Sequence, residues 1–274
     1  MEETNIFNNT FENPIKKFKV NKPNKLKQLT TLKGNQIKWF KDNYFIKADT
    51  NGYESIAELI TSILLKHTKT IDYVEYNLCE IETEDDLLVD CYSENYIKDD
   101  NTSLSILKYL TEDEITKLSK YRDKEHVRYF LDIFNNKQNI TFNMEEYLSK
   151  IFLIDTLILN EDRHLNNINL ILTEDNKILP APIFDNGLFL LSRTSKYGYE
   201  RITDELFNSV KAKPFNNDFH TQLNYFNWKP LIIDYENLIY ELNNTKPEFK
   251  KMEFDRAKYI LIQRLEKERG YLWI

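Results

Sequence analysis

Three side chains have the types and spacing that phosphoryl transfer needs: Asp162, Asn167 five positions later, and Asp185, which opens Asp185-Asn186-Gly187. Moving a phosphoryl group from a nucleotide to a hydroxyl calls for a carboxylate beside the incoming oxygen. It also calls for hard oxygen ligands that hold Mg²⁺ against the phosphates. An Asp, an Asn and a second Asp supply both. An isolated Asp-Arg-His in a loop more often caps turns and helices. The chemical reading therefore rests on the composite: a helix before Asp162, the Asn at the fifth position, a strand hairpin after it, and the Asp-x-Gly beyond.

The elements that must position these groups are legible in the pattern. Residues 144–159 repeat apolar side chains at helical spacing and stop at Asn160, which puts Asp162 in the loop that follows. Two short apolar strands come next, at 168–172 and 178–184, separated by the turn Glu174-Asp175-Asn176. Upstream, residues 36–47 read as two aromatic-rich strands turned at Lys41-Asp42-Asn43. Gly52 precedes an amphipathic helix with Ile56, Leu59, Ile60, Ile63 and Leu64 on one face. Further strands are expected at 73–81 and 87–92, and a shift in composition near residue 95 marks a boundary. Beyond it the pattern is mostly helical. Thr111 with Glu114 three residues later is a capping-box signature, and residues 252–269 form a long amphipathic segment. Residues 1–28, polar and carrying two prolines, are expected to be an irregular arm. The organisation is thus an arm (1–28), a smaller strand-rich lobe (29–95) and a larger helical lobe (96–274).

Bulk properties exclude several classes. The chain has 274 residues, 41% of them hydrophobic and 14% aromatic, enough for a sizeable core. The formal net charge of -7, with both signs spread along the chain, offers no bulk attraction for polyanions, so nucleic acid is not an expected partner. Two cysteines, Cys79 and Cys91, make no disulfide framework. No apolar run reaches the ~20 residues of a membrane span, and no signal peptide is apparent. A cytoplasmic protein is the expectation, with delivery outside the cell left open. His67, His126 and His220 are isolated and suggest no metal site.

The motif order identifies a resemblance. Protein kinases separate their catalytic Asp and metal-binding Asn by this same interval and begin an Asp-Phe-Gly turn with the second metal Asp. Here Asp precedes Arg and His. The pattern Asp155-x-x-x-x-Asn160-x-Asp162-Arg163-His164-x-x-Asn167, followed by Pro182-Ile183-Phe184-Asp185, resembles the HipA-like bacterial serine/threonine kinases. Among these it looks most like the short, stand-alone CtkA type, through Gly52-Tyr53-Glu54 and Ile183-Phe184-Asp185-Asn186-Gly187. The resemblance implies an α+β, two-lobed protein-kinase-like fold and an ATP- and Mg²⁺-dependent kinase acting on Ser or Thr of a protein, itself included. In that reading Asp162 is the catalytic carboxylate, Asn167 and Asp185 hold the metal, and Lys47 contacts the ATP phosphates. Such a lysine needs a carboxylate to steady it; Glu54 is the first choice, with Glu58 one turn later as the alternative. The backbone of residues 91–96 would receive the adenine edge. Asp155 is read as a partner for the loop, Arg163 and His164 as braces, and Ser192, Thr194 and Ser195 as candidate acceptors.

The chain departs from the kinase pattern at the segment that would cover the phosphates. Lys33-Gly34-Asn35-Gln36-Ile37-Lys38 has one glycine and fits neither Gly-x-Gly-x-x-Gly nor Walker A. Amides around Gly34, Asn35 and Gln36 together with Lys38 are the candidates for that cradle. Two other readings stay open: a lipid or small-molecule kinase of the same fold, since lipid kinases share the Asp-Arg-His order, and a nucleotide-binding module without transfer activity.

Overall fold

A computed structural model of the chain describes residues 15–20, 37–69, 72–84, 87–98, 100–184 and 188–273. Its largest sheet joins β1 (Lys16–Lys19), β2 (Lys38–Lys41), β3 (Tyr44–Lys47), β5 (Tyr76–Glu82) and β6 (Leu87–Glu94) in the order β1-β5-β6-β3-β2, with β1 parallel to β5 and the other pairs antiparallel. Two three-stranded sheets complete the β structure. One orders β4 (Thr68–Lys69), β10 (Leu231–Ile233) and β11 (Leu272–Trp273) as β11-β10-β4; the other orders β7 (Thr102–Ser105), β8 (Asn169–Leu172) and β9 (Ile178–Pro180) as β7-β8-β9. The helices are α1 (Glu54–Lys66), α2 (Ile106–Tyr109), α3 (Glu112–Leu118), α4 (Asp123–Asn135), α5 (Met144–Ile158), α6 (Thr194–Tyr197), α7 (Asp204–Ser209), α8 (Phe219–Leu223), α9 (Tyr235–Asn244) and α10 (Lys251–Lys267).

The β2–β3 hairpin forms where the pattern predicts it. Asp42 and Asn43 both take positive φ, 51° and 66°, the two-residue turn whose twist matches paired strands and which Asp and Asn tolerate. Inward positions Trp39 and Ile46 are buried, while Phe40 and Phe45 meet at 4.9 Å on the other face. In α1, Ile56, Ile60, Ile63 and Leu64 are buried, and so are Glu54, Glu58, Thr61 and Ser62 on the remaining sides. The helix is enclosed all round because it lies between the five-stranded sheet and α9 and α10. The capping box of α3 is present in full, with Thr111 accepting from the Glu114 amide and Glu114 accepting from the Thr111 amide.

The expected irregular arm requires a correction. Residues 16–19 form β1, an edge strand, because Phe18 and Val20 bury their side chains against the sheet while the lysines face water. Four short strands, β4, β7, β10 and β11, also arise where no strand was expected. Each has two to four residues, and their partners come from far along the chain.

A buried ionic cluster ties α10 to the sheet. Lys250, which caps α10 in a left-handed conformation, places Nζ 2.8 Å from Asp49 and 3.0 Å from Asp90. It also donates to the Ser55 hydroxyl at 3.1 Å. Burial pushes the Asp49 carboxyl up to about 6 despite the lysine beside it, and raises Asp90 as well. Folded Asp49 therefore takes up its proton at higher pH than the unfolded chain does. Its contribution to stability is present near pH 4 and lost as pH rises through about 6. Lys250→Ala leaves two carboxylates without their shared cation and is expected to cost about 2–3 kcal/mol at pH 7. That is less than the about 3–5 of a fully buried broken pair, because part of the lysine meets water. The loss should shrink at pH 5, below the value of about 6 at which Asp49 takes up its proton; urea unfolding showing equal losses at both pH values would count against this account.

Candidate active site

Lys47 ends β3 and is buried. Its ammonium lies 3.1 Å from Glu58 Oε1, donates to the Tyr76 hydroxyl at 2.8 Å and sits 4.2 Å from the centre of the Tyr76 ring. The lysine is thus held by α1 and β5 at once. Glu54, the first choice of partner, is engaged elsewhere: Oε1 accepts from the Asn51 amide at 2.8 Å and the Thr50 amide at 3.4 Å, closing the turn before α1. The correction has a geometric cause. Glu58 stands one turn further into α1 and pairs with the lysine at the end of β3, whereas Glu54 folds back onto the Thr50 and Asn51 amides of the turn before the helix.

The second wall is the loop after α5. The helix ends in Leu159, left-handed at φ 56°, and Asn160 turns back so that its side chain bonds Asp155 at 2.9 Å and accepts from the Asp162 amide at 3.0 Å. Arg163 runs beneath the loop rather than out of it. Its guanidinium makes bonds of 2.9–3.2 Å to both oxygens of Asp155 and donates to the Asn167 carbonyl at 3.1 Å. Burial pushes the Asp155 carboxyl up, and Arg163 and Asn160 oppose this by bonding its ionised form. Asn167 donates from Nδ2 to the Asp162 carbonyl at 3.0 Å, which leaves its Oδ1 as the atom able to ligate a cation. The loop is braced at both ends. The Asp162 carboxylate is partly exposed, with Lys213 Nζ 3.6 Å from Oδ1.

Asp185 lies outside the described residues, as do Gly34, Asn35 and Gln36. The residues on both sides of 185–187 are placed, however. Ile183 pairs with Asp72 and Val74 through bonds of 2.8 Å, Phe184 stacks near Tyr96 at 5.2 Å, and the Leu188 carbonyl accepts from the Glu161 amide at 3.0 Å. Phe184 therefore lies beside the sheet and Leu188 next to Glu161, the neighbour of Asp162. Between sheet and Phe184 lies a cavity of about 30 Å³, whose lining includes Ile46, Val74, Tyr96, Phe184, Lys38 and Lys47. A larger cavity, about 190 Å³, lies between the start of α5 and β9; of the motif residues Ile183 lines it, whereas Lys47, Asp162 and Asn167 do not.

The segment after the Asp185 turn clamps the two walls together. Leu190 and Ser192 carbonyls accept from the Tyr53 hydroxyl at 2.8 Å and the Tyr53 amide at 3.2 Å, and the Thr194 amide donates to Asn51 at 3.0 Å. Buried Glu161, next to Asp162, accepts from the Tyr197 hydroxyl at 2.7 Å and pairs with Lys196. Gly52 makes the close approach possible, because a Cβ there would fall 1.9 Å from the Ser192 carbonyl oxygen. Gly52→Ala is accordingly expected to cost about 3 kcal/mol, by overpacking a contact made by backbone. Thermal unfolding within 1 °C of the parent, on the order of the scatter of such scans, would refute the close contact.

Sequence reasoning missed Glu161, Tyr76 and Lys213. Glu161 had the one available signal, adjacency to Asp162; Tyr76 and Lys213 reach the site only through the fold. Among the described residues no helix is long and apolar enough to cross a membrane.

No family model and no curated protein matches the chain. Solved structures do. The crystal structure of a Helicobacter pylori proinflammatory kinase, CtkA, superposes with a TM-score of 0.63 over 93% of this chain and 95% of that chain, at 19% sequence identity. The mixed α+β architecture, with its curled sheet and helical body, is therefore the fold of a CtkA-type kinase.

Proposed function

We propose that the chain is an ATP- and Mg²⁺-dependent phosphotransferase that moves the γ-phosphoryl group to Ser or Thr hydroxyls of a protein, itself included. The observations that carry this reading are the buried Lys47–Glu58 pair and the cross-braced Asp162–Asn167 loop, in a fold shared with a solved kinase. Lys47 is the cation for the nucleotide phosphates, and Glu58 and Tyr76 fix where its ammonium points. Asn167 Oδ1 and the Asp185 carboxylate are the hard oxygen donors that suit Mg²⁺, which when bound neutralises phosphate charge. Asp162, held by Asn160 and Asn167, orients the acceptor hydroxyl and takes its proton. The clamp from residues 188–197 onto Asn51–Tyr53 holds α1, and with it Glu58, in register with the loop.

The test is incubation of the purified protein with Mg²⁺ and γ-labelled ATP, with and without a mixed protein acceptor, followed by phosphoamino-acid analysis. Label in phosphoserine or phosphothreonine is expected. Label confined to lipid or small-molecule acceptors would redirect the substrate class, and tight nucleotide binding without any transfer would overturn the enzymatic reading.

A further inference from the structure

The transferring phosphoryl group spreads negative charge over three oxygens, and a carboxylate must approach it to meet the acceptor hydroxyl. A site of this kind needs a cation next to that carboxylate. Arg163, the permanent cation of the Asp162 loop, cannot serve: it is buried and bonded to Asp155 and the Asn167 carbonyl. Lys47, the cation assigned to the nucleotide phosphates, is held by α1 and β5 through Glu58 and Tyr76 and is not part of the Asp162 loop. The group that does stand beside the carboxylate is Lys213, whose Nζ lies 3.6 Å from Asp162 Oδ1.

The backbone that presents Lys213 is firmly held. Its carbonyl accepts from Gln222 Nε2 at 2.9 Å, and the same buried side chain accepts from the Phe215 and Asn216 amides at 2.8 and 3.2 Å. The Ala212 amide donates to Asn217 at 2.9 Å, and both Ala212 and Phe215 are buried. The loop is fixed on either side of Lys213 while its own side chain remains half-exposed. Such a stem can exchange Asp162 for a phosphoryl oxygen without moving its backbone.

We propose that Lys213 is a catalytic residue for phosphoryl transfer, its ammonium contacting the γ-phosphoryl oxygens; this rests on the phosphotransferase reading above. In the step, a lone pair of the acceptor oxygen forms the new O–P bond. The bond between γ-phosphorus and the bridging oxygen breaks, and its electron pair leaves on ADP. The hydroxyl proton passes to Asp162 and then to solvent. Lys213 keeps its protons and remains an ammonium throughout, offsetting the charge that Asp162 and the phosphoryl group bring together.

Calorimetric titration of the full chain and of Lys213→Ala and Lys213→Arg with Mg·ADP and with the β,γ-imido analogue of Mg·ATP separates this role from a structural one. The Ala variant should bind the imido analogue about 10-fold more weakly, bind ADP within about twofold of the parent, and transfer phosphate about 100-fold more slowly, with Arg recovering most of the loss. Equal weakening of both nucleotides, no weakening of either, or an unchanged transfer rate would overturn the assignment. If the parent binds both nucleotides but transfers nothing, the kinase reading fails while the ratio of the two affinities still decides for or against a γ-phosphoryl contact by Lys213. If the parent binds neither nucleotide, both readings fall.

Discussion

Asp162→Asn is expected to lower phosphate incorporation by about 10³-fold, the middle of the range for losing a positioned general base. The substitution keeps shape and removes charge. The bonds that shape the loop use the Asp162 amide and carbonyl, not its carboxylate, so Asn160 and Asn167 keep their partners. Arg163 and Asp155 below are untouched. The variant should therefore fold and bind nucleotide like the parent, and Lys213, losing an exposed pair, should cost at most about 1 kcal/mol. Initial rates with γ-labelled ATP give the number. Incorporation within about threefold of the parent, far short of the loss expected for a missing base, would remove Asp162 from the reaction.

The second large effect separates the two glutamates of α1. Glu58→Ala removes the carboxylate that lies 3.1 Å from the buried Lys47 ammonium, and breaking a buried pair this way costs about 3–5 kcal/mol. For a chain of this size that corresponds to a midpoint lower by about 6–15 °C. Nucleotide affinity should fall with it, since the ammonium loses the group that aims it. Glu54→Ala removes acceptors from the Thr50 and Asn51 amides at a helix start and should cost about 1 kcal/mol. Parallel thermal melts decide the matter. A Glu54 variant less stable than the Glu58 variant would mean that the lysine is steadied from the wrong residue in this account.

What could be read from the sequence was what depends on near neighbours. The β2–β3 hairpin followed from aromatic strands around Asp42-Asn43, the capping box from Thr111 and Glu114, and the end of α5 from a helical pattern stopping at Asn160. Asp155 and Arg163 were assigned to bracing the loop, and their buried pair at 2.9 Å is that brace. What could not be read depends on distant segments meeting. Whether Glu54 or Glu58 faces Lys47 turns on how α1 is rotated against β3, which helical spacing alone does not determine. β1 looked like a tail because its lysines dominate the composition, while two apolar side chains, Phe18 and Val20, do the burying. β7 pairs with β8 across more than sixty intervening residues, and β10 with β4 from further still, so local pattern gave no sign of either. Lys213 reaches Asp162 by a loop whose position is set by Gln222 and by the packing of Phe215, neither of which has a local signature.

The central claim is that Lys47, Asp162, Asn167 and Asp185 converge on one nucleotide and one divalent ion. A crystal structure of the protein with Mg²⁺ and the β,γ-imido analogue of ATP tests it most directly. The account predicts Asn167 Oδ1 and the Asp185 carboxylate at about 2.0–2.1 Å from the same ion, Lys47 on the phosphates with Glu58 behind it, and the Asp162 carboxylate facing the γ-phosphorus. A nucleotide seated away from Lys47, or an ion held by neither Asn167 nor Asp185, would contradict it.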